Sequence, residues 1–72
     1  MKEYPIVLEV EESGRYSVTA PDLPGCFSWG NTRDEAIAHI REAIELWIES
    51  AKSDGEQIPP PGSSVAYVRV AA

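Results

Sequence analysis

The chain has 72 residues, twelve Asp and Glu against six Lys and Arg, and a formal charge of −6 at pH 7. That length holds one domain, residues 1–72, and excludes a catalytic domain beside a regulatory one. Its 43% hydrophobic content is too high for a disordered chain, and its acidity argues against direct nucleic-acid binding while favouring a basic partner.

The sequence has no apolar run of about 18 residues, so no membrane span is expected. Met1-Lys2-Glu3-Tyr4-Pro5 lacks the apolar centre of a signal peptide. Cys26 is the single cysteine and has no internal disulfide partner, which makes a reducing cytoplasm the expected compartment. A core this small supplies only a few kcal/mol. Self-association is therefore expected as a further source of stability: a homo-oligomer, with a dimer favoured.

The first strand is predicted over residues 4–11. Tyr4, Ile6, Leu8 and Val10 alternate with Pro5, Val7, Glu9 and Glu11. Glu12-Ser13-Gly14-Arg15 is a turn, and residues 16–20 repeat the alternation, so the pair reads as a hairpin. Pro21-Asp22-Leu23-Pro24-Gly25 then breaks the ladder, because prolines remove backbone donors. Residues 26–29 form a short third strand, closed by Gly30-Asn31.

Thr32-Arg33-Asp34-Glu35 fits a capping box at the start of a helix of about five to six turns. Ile37, Ile40, Ala43, Ile44, Trp47, Ile48 and Ala51 recur at spacings of three and four and make one apolar face. Lys52 and Gly55 are stop signals. Pro59-Pro60-Pro61-Gly62 is a stiff connection, and residues 65–70 form the last strand, with Val68 and Val70 on one parity and Tyr67 and Arg69 on the other. The predicted architecture is an α+β two-layer sandwich, β-β-β-α-β, with an antiparallel-rich sheet packed on one long helix.

Little in this sequence points to catalysis. A nucleophilic Cys26 needs a base, and the only histidine, His39, is placed by the helical period away from the apolar face, exposed and within reach of Glu35. Glu9, Glu11 and Asp22 are acids on or after strands, and in a metal-dependent nuclease such acids hold Mg²⁺. Here they follow no metal-loop spacing and serve more simply as edge protection. No catalytic, metal or cofactor residue is assigned. Leu46 lies on the polar side of the helix, either as a lone exposed Leu or as a helix–helix contact.

Residues 21–36, Pro-Asp-Leu-Pro-Gly-Cys-Phe-Ser-Trp-Gly-Asn-Thr-Arg-Asp-Glu-Ala, resemble the signature of the HicB-type antitoxin family. The order of hairpin, signature, long helix and final strand is similar to that family's N-terminal domain over nearly the whole chain. The resemblance implies a trimmed ribonuclease H-like fold without catalytic acids. It also implies a binding function: covering the active site of a HicA-type toxin, a small basic protein that cleaves mRNA. An acidic domain suits such a partner through charge complementarity. Many members of the family carry a C-terminal DNA-binding domain. No such domain is expected here, so operator binding is not carried over.

On this resemblance Pro21, Pro24 and Gly25 shape the bend, and Asp22, Leu23, Phe27 and Trp29 are the expected partner contacts. Phe27 and Trp29 share a parity and are either both core or both surface, with core favoured by their aromatic character. The sequence therefore reads as a cytoplasmic, non-enzymatic antitoxin-like domain. Its rivals are a self-associating structural module without a toxin and a vestigial metal-dependent nuclease using Glu9, Glu11 and Asp22.

Overall fold

Alternating apolar and polar residues place β1 (Val7–Val10), β2 (Tyr16–Thr19) and β3 (Phe27–Gly30) side by side in the computed structural model, which describes residues 2–71. The sheet is antiparallel throughout, in the order β1-β2-β3. Leu8 sits opposite Val18, and Val18 opposite Ser28. This register sends the even-numbered residues of all three strands to one face.

The hairpin turn closes where the sequence places it. Glu11 N–H donates to the Arg15 carbonyl at 2.7 Å, and Gly14, at φ +90°, donates to the Glu11 carbonyl at 2.8 Å. That left-handed φ suits a residue without a Cβ.

The proline-containing segment after β2 is a folded loop, not a simple break. Leu23 N–H donates to the Ala20 carbonyl at 3.1 Å and Cys26 N–H to the Leu23 carbonyl at 3.0 Å. These bonds turn Leu23 inward, where it is 1% exposed.

Helix α1 (Arg33–Ser53) begins with Thr32 as its N-cap, as expected, while the returning Glu35 carboxylate reaches one residue further back than the capping box predicts. Glu35 N–H donates to Thr32 Oγ1 at 3.1 Å, and the Glu35 carboxylate accepts from Asn31 N–H at 3.0 Å. The C-terminus closes with Glu56 N–H on the Ala51 carbonyl and Gly55 N–H on the Lys52 carbonyl, a Schellman arrangement. The helix lies over β2 and β3. Val18, Ala20, Leu23, Cys26, Ala36 and Ile40 form the buried core between the layers. The close approach is made at Gly30, where a Cβ would stand 2.8 Å from Ala36 Cα.

The expected last strand is not paired within the chain. Residues 56–71 have no regular secondary structure. Two anchors hold the start of this tail: Tyr4 Oη donates to the Pro59 carbonyl at 2.7 Å, and Asp22 binds Gly62 and Ser63. Beyond Ser63 the tail leaves the body of the domain, with Tyr67 95% exposed. The radius of gyration is accordingly 14.0 Å, against about 11 Å for a compact chain of this length. The remainder keeps the predicted order, three antiparallel strands followed by one long helix in an α+β arrangement, with the first strand confined to Val7–Val10 of the predicted 4–11 and the third shifted to Phe27–Gly30.

Candidate partner-binding face

Strand parity decides which residues this protein presents. With Cys26 buried and Ser28 half-buried on the inner side, Phe27 and Trp29 must point outward together. They are 71% and 47% exposed, which corrects the expectation that their aromatic rings join the core. The inner layer is already filled by Leu23, Cys26 and the helix, and a register that buries Val18 leaves the rings no other side.

Phe27 lies opposite Thr19 and Trp29 opposite Ser17, while Val7 and Glu9 flank the same rows on β1. The outer face is thus a small aromatic patch with hydroxyl neighbours and an acidic side. Arg15 places its guanidinium carbon 5.0 Å from the centre of the Trp29 ring, a cation–π contact. The same Arg15 meets Glu11 at 3.1 Å in an exposed ion pair of small energetic weight.

His39 departs from its expected exposed position. It is half-buried, stands edge-on to Trp29 with ring centroids 6.4 Å apart, and bonds the Trp29 carbonyl through Nδ1 at 2.6 Å. A carbonyl can only accept, so Nδ1 carries the proton and donates. His39 therefore fixes the strand that carries the aromatic patch. Neither Arg15 nor His39 was expected at this face. The hairpin register could have indicated Arg15, but the contact of His39 depends on the helix's rotation over β3.

The other expected contact residues are placed differently. Leu23 is core, and a side chain 1% exposed has no surface to offer a partner while the fold is intact. Asp22 faces the chain's own tail: its carboxylate accepts from Gly62 N–H and Ser63 N–H at 3.1 Å and from Ser63 Oγ at 2.6 Å. The Ser63 hydroxyl above all, and then the Ser63 backbone, hold this carboxyl below its ordinary 3.8.

Burial pushes the Cys26 thiol above its ordinary value, which keeps it as an apolar filler and disfavours the thiolate. Among the described residues, no group of three His, Cys, Asp or Glu side chains is arranged to hold a metal ion. Leu46 is 66% exposed on the helix. No described helix is long and apolar enough to cross a membrane.

Residues 4–71 match the family model of the HicB-like antitoxin of bacterial toxin-antitoxin systems. The chain belongs to the HicB-like antitoxin family. A UPF0150 protein of Thermoplasma acidophilum is 46% identical over 79% of this chain and 83% of its own length. An antitoxin HicB of Photorhabdus laumondii is 41% identical over 82% of this chain and 38% of its own. The crystal structure of the N-terminal domain of Burkholderia pseudomallei antitoxin HicB superposes with a TM-score of 0.76 at 39% identity, covering 85% of this chain and 72% of that one.

The full Burkholderia HicB gives 0.78 at 41% identity, but the chain spans only 47% of it. The chain thus spans half or less of the HicB antitoxins it matches at their whole length, and most of the isolated N-terminal domain. The α+β fold read from the alternation is the fold of that domain.

Proposed function

We propose that this HicB-like chain neutralises a small basic HicA-type mRNA-cleaving toxin in the cytoplasm by masking its active site. The observation that carries this reading is the outer sheet face, where Phe27 and Trp29 stand exposed on an acidic domain. Interfaces concentrate their binding energy in a few aromatic anchors within a polar rim. An open sheet face fixed from behind by His39 presents such anchors with little reorganisation on binding. The net charge of −6 steers a basic partner to it. On this reading the chain acts by binding and not by catalysis, Phe27 and Trp29 touch the toxin, and Arg15 and Val7 border the contact. Asp22 keeps its place among the contacts only as the anchor that shapes the neighbouring loop.

The test is affinity purification of the tagged chain from its own cells at low salt, followed by intact-mass analysis. A stoichiometric basic protein, lost in Phe27→Ala and Trp29→Ala, supports the reading. Recovery of the chain without a partner sinks it.

The unpaired tail favours a second association alongside the first. We read the chain as a homodimer, in keeping with its small core.

A further inference from the structure

The outer sheet face carries one arrangement twice. Near the hairpin turn, Glu11 follows β1, Arg15 precedes β2 and Trp29 lies on β3. The Arg15 guanidinium spans the other two, with Nε 3.1 Å from the Glu11 carboxylate and the guanidinium carbon 5.0 Å from the centre of the Trp29 ring. Carboxylate and ring face both attract the positive charge, and a planar guanidinium can stack and donate at once.

A shift of two residues along each strand keeps the same outer face. It carries Glu11 to Glu9, Arg15 to Ser17 and Trp29 to Phe27. The register holds under this shift, because Glu9 lies opposite Ser17 and Phe27 opposite Thr19, the next outward residue of β2. The second copy therefore has the carboxylate and the ring but a Ser where the first has an Arg. Glu9 is exposed and, among the described residues, meets no cation within ion-pair distance. The Phe27 ring is 71% exposed. Ser17 and Thr19 are too short to reach either wall. With neighbouring strands about 4.8 Å apart, β1 and β3 stand about 10 Å apart across this floor, room for one long side chain laid along β2.

We propose that this trough takes an arginine side chain of the basic toxin, its guanidinium stacked on Phe27 and paired with Glu9, as Arg15 is stacked on Trp29 and paired with Glu11. Glu9 is then a specificity-determining residue of the contact. A lysine fits less well, because its ammonium is a compact, strongly hydrated charge that cannot stack. A phosphate group is repelled by Glu9 and by the net charge of −6. The same net charge brings a basic protein to the face, and the trough selects among its cations. This inference rests on the toxin reading above and names the side chain that the face takes from the toxin.

The experiment is calorimetric titration of the full chain at low ionic strength with hexa-arginine and with hexalysine, two peptides of equal charge. Charge attraction alone treats them alike. The trough predicts about fivefold tighter binding of hexa-arginine, the size of one exposed cation–π contact. That preference should disappear in Glu9→Gln and in Phe27→Leu. It should also disappear in Ser17→Arg, which fills the trough from within the chain. It should persist in Glu49→Gln, which removes the same charge from an exposed position of α1. The substituted side chains lie outside the buried core, so every variant keeps its helical circular dichroism. Equal affinity for the two peptides overturns the proposal. So does a preference that survives Glu9→Gln or Phe27→Leu, or one that Glu49→Gln reduces as much as Glu9→Gln. Any of these results leaves toxin capture by the chain standing, since the purification reads capture directly. A purification without a toxin, beside a clear arginine preference, overturns the toxin as the source of the arginine and keeps the trough.

Discussion

Asp22 and Ser63 lie forty-one positions apart in the sequence and are joined by two hydrogen bonds, from Ser63 Oγ to Oδ1 at 2.6 Å and from Ser63 N–H to Oδ2 at 3.1 Å. This pair fixes the point where the tail leaves the domain. It also ties the tail to the loop that buries Leu23.

Asp22→Asn is expected to loosen the root of the tail. The Gly62 and Ser63 amides should exchange with solvent several-fold faster, while the amides of α1 are unaffected. The same contact has a pH signature. The folded carboxyl titrates below 3.8, so its stabilisation is complete well above that pH. It begins to fall as the unfolded chain's carboxyl protonates and is gone below the folded value. A carboxyl-carbon NMR titration checks this: an Asp22 midpoint at or above 3.8 refutes the contact.

Leu23→Ala should destabilise the domain by about 2–5 kcal/mol, as expected for a buried Leu whose neighbours cannot close the cavity. Phe27→Ala should change stability by less than about 0.5 kcal/mol, because its ring packs against little. Urea melts separate the two. Equal losses would place Phe27 in the core, against its 71% exposure in the structure.

Gly30→Ala introduces a methyl group against the backbone of Ala36, where no side chain can move aside. A destabilisation of about 3 kcal/mol or more is expected, at the upper end of overpacking effects. A variant that melts with the natural chain would mean that the helix and β3 lie farther apart than described.

His39→Ala removes the donor to the Trp29 carbonyl and should lower stability by about 1 kcal/mol. Its informative readout is the indole NMR signal of Trp29, which should broaden or shift as the strand loosens. His39→Ala with an unchanged Trp29 environment would show that the ring contact positions nothing.

If charge steers the toxin, its association rate should fall steeply as salt rises from low to physiological ionic strength, with a smaller change in dissociation rate. Stopped-flow measurement across that range decides it. A salt-independent association rate removes charge from the recognition mechanism.

The sequence alone determined every element whose signal is local. Alternation set the parity of β1 and β2, Thr32 and Glu35 set the start of α1, and Gly55 set its end. The signature over residues 21–36 carried the family, which the similarity of residues 4–71 to the HicB-like model then established. These features depend on neighbours within about four positions, which the linear chain displays directly.

What only the tertiary structure decided concerns competition for a limited interior. Leu23 took the core position that the rings of Phe27 and Trp29 were expected to share. Which apolar group wins depends on the space between β2, β3 and α1 and not on hydrophobicity alone. His39 is turned to β3 by the helix's rotation over the sheet, and residues 65–70 find no edge within their own chain. A strand is completed by a partner rather than by its own propensity, so its sequence announces the need for an edge and leaves open which chain supplies one.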